Sequence, residues 1–204
     1  MEAYRALAER AVGRRIAAVH APDAWYLKGG LDQASAAALA GRTVTGTRRI
    51  GKLLLVDLDD ASVLGLRFGM TGRLLLDGVA GVEGLVSSPV GDHQGWDRFV
   101  VDFDGGGDLR MRDPRRLGGV ELDPDECALG ADARDIGVAG LRRALAGSQV
   151  ALKARLMDQR RIAGIGNLVA DETLWRAGLD PRRPAASLED RELRRLHRHL
   201  HAAV

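Results

Sequence analysis

Between Arg15 and Leu122 the apolar residues come in short runs of β character: IAAVH at 16–20, TVTGTRRI at 43–50, KLLLVDL at 52–58, VLGLRF at 63–68, RLLL at 73–76, RFVVDF at 98–103, DLRMR at 108–112 and GGVEL at 118–122. So many strands at such close spacing predict a sandwich or a barrel. Phe99, Val101 and Phe103 alternate with Arg98 and Asp102, which predicts one buried and one solvated face. Asp59-Asp60 and Asp104-Gly105-Gly106-Gly107 are the expected hairpin turns. Ahead of the strands, Tyr4, Leu7 and Ala8 share one side of a helix over Glu2–Arg10 that Gly13 ends. Residues 77–95 read as a glycine- and serine-rich loop, and 123–137 as a polar linker.

From about Val138 the period becomes helical. Leu152 and Leu156 with Met157 make an apolar stripe, and Lys153, Arg155, Arg160 and Arg161 put positive charge outside it. Gly164 and Gly166 predict a tight turn. Asn167 is the expected N-cap of a second helix with Ala170, Leu174 and Ala177 inward, closed by Gly178 and Pro181. A helix start aimed out of an arginine-flanked turn suits a phosphate oxygen, although a solvated helical hairpin has the same pattern. In the last segment Ser187 and Asp190 resemble a capping box, followed by Leu193, Leu196 and Leu200. His197, His199 and His201 alternate, which spreads them around a helix and argues against a metal.

Composition narrows the classes. The chain has 204 residues, 46% of them hydrophobic, enough for one or two modest cores. Its longest apolar stretches fall far short of a membrane span, and the N-terminus lacks a secretory signal's apolar centre, so a cytoplasmic, nucleoid-associated protein is expected. Cys127 is the only cysteine, which excludes an internal disulfide and a four-cysteine zinc site. The net charge of +2 is unevenly placed: Leu141–Val204 carries 13 Lys and Arg against 7 Asp and Glu, leaving 17 against 21 before it. A basic C-terminal half fits a polyanion partner.

Three loops carry candidate chemistry. Lys52 follows Arg48, Arg49 and Gly51 at a strand start; Gly69-Met70-Thr71-Gly72 holds a flexible apolar side chain between glycines; DPRRLGG at 113–119 sets two arginines and a leucine in a turn. Arginine with an apolar wedge is what fills the gap left when a base leaves the duplex.

Taken together, RRIGKLLLVDL, LRFGMTGRLLL, WDRFVVDF, LRMRDPRRLGG and LKARLMDQRRIAGIGNLVADETLWRAGLDP resemble, in order and spacing, the formamidopyrimidine-DNA glycosylase and endonuclease VIII family of base-excision repair enzymes. The resemblance implies an α+β fold. An N-terminal β-sandwich domain with a flanking helix (1–122) is joined through the linker (123–137) to an all-α helix-two-turn-helix domain (138–204), with DNA bound between them. It implies a catalytic role for Lys52 near the abasic sugar. Met70, Arg115 and Leu117 match the residues inserted into the duplex, with Leu117 where many relatives have phenylalanine. Trp96 stands where many place a DNA-contacting histidine. Asn167 matches a phosphate-binding asparagine, and Lys153 a basic residue early in the first helix of the motif. Ser148 and Gln149 lie where some relatives carry a further DNA-contacting lysine.

The chain departs from the family at both ends. Relatives begin with a proline nucleophile inside a Pro-Glu-Leu-Pro-Glu-Val-Glu segment, whose secondary amine forms a Schiff base with the sugar. This chain opens Met1-Glu2-Ala3-Tyr4, and Glu2 aligns with the last glutamate of that segment, not the catalytic one. The family's zinc finger has no counterpart, so no cofactor is expected in this chain. A misplaced start and a truncated record are the favoured explanation, with a short relative that binds without cutting as the other. The expected function is therefore a monomeric DNA glycosylase and abasic-site lyase acting on oxidised bases in duplex DNA, truncated in this form. The alternative is a non-catalytic protein that binds damaged or abasic DNA. A third reading, an interaction protein with no nucleic-acid role, makes the motif order an accident.

Overall fold

A computed structural model describes residues 1–82 and 93–204, which divide into two compact units, Met1–Pro124 and Asp125–Val204. The first unit opens with α1 (Glu2–Ala8), whose Tyr4, Leu7 and Ala8 are buried as the helical period requires. There follow β1 (Ile16–His20), β2 (Leu27–Lys28), α2 (Gln33–Ala37), β3 (Val44–Ile50), β4 (Leu53–Leu58), β5 (Val63–Arg67), β6 (Arg73–Leu76), β7 (Val79–Ala80), β8 (Asp97–Phe103), β9 (Asp108–Arg112) and β10 (Gly119–Leu122). They form two five-stranded sheets, ordered β1-β8-β9-β6-β7 and β2-β10-β5-β4-β3. Leu54, Val56, Leu64 and Leu66 from one sheet and Phe99, Val101, Phe103 and Met111 from the other share one buried cluster, so the architecture is a sandwich. Alternation along β8 buries Phe99, Val101 and Phe103, as the pattern predicts.

α1 closes the sandwich from the side: the Tyr4 ring stacks on Phe68 at 4.3 Å, and its hydroxyl donates to the Gly72 carbonyl at 3.2 Å. The apolar runs locate eight strands to within a residue or two at each end. They miss β2, β7 and α2, elements of two to five residues that are too short to show a period. β7 falls within the stretch expected to be loop, and residues 83–92 of that stretch lie outside the described residues.

The second unit contains β11 (Ala131–Asp132), α3 (Val138–Leu145), α4 (Leu152–Leu156), β12 (Ile162–Ala163), α5 (Asn167–Ala177) and α6 (Asp190–Ala203). Its core joins Leu141, Leu145, Leu152, Leu156, Ile162, Ile165, Ala170, Leu174, Leu193, Leu196 and Leu200. Most of the stretch read as linker belongs to this unit. β11 pairs in parallel with β12, and Ala133 and Ile136 are buried in the helical core. Gly130 packs so tightly that a Cβ there would stand 2.3 Å from the Arg161 backbone. A polar composition hid two apolar anchors.

The cap of α6 also differs from expectation. Glu189 is the N-cap and forms a capping box with Glu192, whose carboxylate accepts from the Glu189 N–H at 3.0 Å. Ser187 closes a 3-10 turn instead, donating to the Pro184 carbonyl at 2.7 Å. On α6, His197 and His201 share a face, because four residues make one turn, and each ring Nε2 lies 2.9 Å from the Ile136 carbonyl. The expectation that the three histidines are spread around the helix fails for this pair. No helix of the described residues is long and apolar enough to cross a membrane.

Candidate nucleic-acid interface

Strand register brings the candidate residues of the first unit to one end of the sandwich. In one sheet Arg67 pairs with both Leu53 and Gly119, so Lys52, Phe68 and Gly118 each lie one residue beyond the same row. In the other, Arg112 pairs with both Asp97 and Arg73, which puts Trp96, Asp113 and Gly72 one residue beyond theirs. Segments 68–72 and 113–118 each cross from one sheet to the other. Lys52, Met70, Trp96, Arg115 and Leu117, separated by up to 65 positions in sequence, thus share one rim.

The Asp113 carboxylate ties the two crossing loops together. Fully buried, it accepts from the Thr71 hydroxyl at 2.5 Å and the Arg115 N–H at 3.2 Å through Oδ1, and from the Gly118 N–H at 2.8 Å through Oδ2. Its own N–H donates to the Trp96 carbonyl at 2.9 Å, and Arg98 Nε donates to its carbonyl at 2.9 Å. Gly69 has a φ of +57°, and a Cβ there would stand 2.6 Å from the Leu117 backbone, so the loops touch main chain to main chain. With both backbones held, Met70 (60% exposed) and Leu117 (48%) turn their apolar side chains to solvent. Such exposure of two large apolar groups on a rigid frame favours a partner.

The two arginines of the turn have different fates. Arg116, at a φ of +57°, is salt-bridged to Asp23 at 2.6 Å, while Arg115 is exposed. Beneath them Tyr26 is fully buried, and burial raises its hydroxyl well above the usual phenol range. A Cβ at Gly118 would stand 2.6 Å from that hydroxyl, so glycine is required there. Trp96 is half-buried with its ring 5.5 Å from His93. Lys52 occupies the Gly51-Lys52 turn between β3 and β4; it is exposed by area, yet nearby protein displaces enough water from its ammonium to lower its pKa. Asp113, Thr71, Asp23 and Tyr26 were not singled out from the sequence. Only Asp113 carried a signal, as the aspartate heading a Pro-Arg-Arg turn.

In the second unit the turn before α5 is held by Gln159. Its amide donates to the carbonyls of Met157 at 2.7 Å and Ile165 at 2.8 Å, and its oxygen accepts from the Gly164 N–H at 3.0 Å. Gly164 uses a φ of +107°, whereas Gly166 is extended, a conformation open to any residue. Gly166, not Asn167, is the N-cap, and Asn167 is the first helical residue, exposed beside the unpaired N–H groups that begin any helix. Arg160 and Arg161 are exposed on the same turn. Lys153 is ion-paired with Asp171 of α5 at 2.7 Å. Ser148 and Gln149 lie in the connection between α3 and α4. Among the described residues no group of three or more His, Cys, Asp or Glu is placed to hold a metal, and a single cysteine cannot supply a four-cysteine zinc site.

Comparison with known proteins gives a consistent assignment. Residues 2–120 match the formamidopyrimidine-DNA glycosylase N-terminal domain, and residues 128–204 the formamidopyrimidine-DNA glycosylase H2TH domain. The formamidopyrimidine-DNA glycosylase of Moorella thermoacetica is 42% identical over 168 residues, covering 78% of this chain and 58% of that protein. The Fpg (MutM) protein of Thermus thermophilus is 30% identical with a TM-score of 0.78, covering 98% of this chain and 71% of that one. Lactococcus lactis Fpg, in complex with DNA containing an abasic site, has the same fold at 24% identity and a TM-score of 0.81, over 98% of this chain and 75% of that one. The chain thus spans less than two thirds of the length of the Moorella relative.

Proposed function

The chain belongs to the formamidopyrimidine-DNA glycosylase family, and from that premise we propose that it recognises duplex DNA at an abasic site or damaged base. The observation that carries this reading is the rim tied by Asp113, which holds Met70, Leu117 and Arg115 outward on two interlocked loops. When a base is missing or turned out, its neighbours lose their stacking partner. Apolar groups on a fixed frame replace that contact at small entropic cost, and Arg115 supplies hydrogen-bond donors to the unpaired opposite base. Asn167 and the start of α5 bind a backbone phosphate, which positions the protein without reading sequence. Trp96 and Lys153 complete the DNA-contacting set.

Base excision followed by cleavage at the abasic site is the enzymatic form of this reading. Lys52 is then the catalytic amine beside the sugar, and its lowered pKa leaves more neutral amine near neutrality. The second reading, damage binding without chemistry, draws on Glu2. Its carboxylate accepts from Arg5 at 2.5 Å and Arg49 at 3.1 Å, and the Arg5 bond holds its pKa below the usual range, so Glu2 favours the charged form and is a poor proton donor at neutral pH.

Competition binding of the 204-residue chain to an abasic-site duplex and an intact duplex tests recognition. Selective binding is expected, and Arg115→Ala should reduce it. Equal loss on both duplexes would refute the gap-filling role. Borohydride trapping on the abasic duplex separates the readings: a covalent adduct supports the enzyme, and selective binding with no adduct supports the binder.

A further inference from the structure

We propose that His197 and His201 form a chelating site for a divalent transition metal on α6, separate from the DNA-binding residues and independent of cysteine. The two imidazoles lie side by side one turn apart, with ring centroids 4.4 Å apart and planes inclined at 45°. Both Nε2 atoms converge on one oxygen, the Ile136 carbonyl, each at 2.9 Å. A carbonyl only accepts, so each Nε2 carries a ring proton, and in a neutral imidazole Nδ1 then carries none. Two imidazole nitrogens and one carbonyl oxygen therefore lie together on one face of α6.

A chelating pair needs its two nitrogens within reach of one ion, and the i, i+4 spacing on a helix sets the two rings side by side. To bind, each ring turns about its side-chain torsions, and its proton passes from Nε2 to Nδ1 through solvent. The two Nε2 lone pairs then take the ion with Ile136 O as third ligand, and no net proton is released. Water fills the other positions, since His201 is exposed. Two imidazoles and one carbonyl suit Ni²⁺, Co²⁺ or Zn²⁺ and disfavour Mg²⁺, which seeks oxygen ligands. The set has no carboxylate, and Arg194, Arg195 and Arg198 share the helix, so the site is expected to be weaker than a structural zinc centre. Ile136 ends the stretch that begins with β11, so a bound ion would clip α6 to the segment paired with β12.

The test is titration of the untagged full chain with Ni²⁺, followed by calorimetry and thermal unfolding, with Mg²⁺ as control. One Ni²⁺ per chain and a saturable rise in melting temperature are expected, with no response to Mg²⁺. His197→Ala and His201→Ala should each lower Ni²⁺ affinity at least tenfold, while His199→Ala and Cys127→Ser leave it unchanged. His197→Gln keeps a donor for Ile136 O, which guards against a fold defect, and should lose the metal equally. Unchanged affinity in both single-histidine variants, equal loss in His199→Ala, or no binding by the wild type at submillimolar Ni²⁺ would overturn the proposal.

Discussion

Replacing Asp113 with asparagine keeps the volume of the side chain and changes only its hydrogen bonding. The carboxylate accepts three bonds, two at Oδ1 and one at Oδ2. An asparagine amide has one accepting oxygen. If that oxygen faces Thr71 and Arg115, the NH₂ meets the Gly118 N–H; if it faces Gly118, the NH₂ meets the Arg115 N–H. Either orientation sets two donors against each other in a site with no exposure. Loss of one charge-assisted bond together with an unsatisfied buried donor costs about 2–3 kcal/mol. For the unit Met1–Pro124, an unfolding entropy of about 2.1 cal/mol/K per residue converts 2.5 kcal/mol into a fall of about 10 °C in melting temperature. Differential scanning calorimetry reads this directly. Asp104→Asn is the control, since Asp104 is exposed and only loosely paired with Arg15 at 3.7 Å, and it should change stability by less than about 0.5 kcal/mol. The same Asp113 variant should lose preference for an abasic duplex, because the loops bearing Met70, Arg115 and Leu117 are no longer locked. A variant within about 0.5 kcal/mol of the wild type would refute the claim that this carboxylate holds the rim.

Met70→Ala and Leu117→Ala should alter stability by less than about 0.5 kcal/mol, because both side chains are exposed, yet each should weaken abasic-site preference in competition binding; loss of stability without loss of preference would make them packing residues. Asn167→Ala should weaken duplex binding by about 1–3 kcal/mol, and unchanged affinity at moderate salt would remove the turn as a phosphate anchor. The chain has three lysines, Lys28, Lys52 and Lys153, so ¹³C-dimethylation followed by NMR resolves them. Lys52 should titrate below the ordinary lysine value of about 10.4, and a value at or above it would refute its desolvation. The sign for stability follows: the folded chain holds this proton less tightly than the unfolded chain, so Lys52 costs stability at pH 7. That cost fades as pH rises through the folded value toward the unfolded one.

Much of the architecture was legible in local pattern. The alternation of Phe99, Val101 and Phe103, the helical spacing of Ala170, Leu174 and Ala177, and the terminating Gly178, which adopts a left-handed φ of +59°, each act over a few residues and are visible in them. The site residues came from the resemblance of ordered motifs, and their roles stand as proposals. The interlock between their loops was not legible, because Thr71 and Asp113 lie 42 positions apart and no period connects them.

The sequence alone determined where the longer strands and helices form, since those depend on side-chain periodicity and on glycine, proline and capping residues within one turn or hairpin. It also determined which charges and wedge-like side chains the protein has to offer. Tertiary structure alone decided which of them meet. Register put Lys52, Met70, Trp96, Arg115 and Leu117 on one rim. Burial made Asp113 a three-bond acceptor, because a carboxylate withdrawn from water must find its donors in the chain. Packing of the stretch after β11 against α6 brought one carbonyl beneath two histidines. The rim, the Thr71–Asp113 bond and the Ile136–histidine contacts join residues distant in sequence, and only the closing of long loops brings such residues into contact.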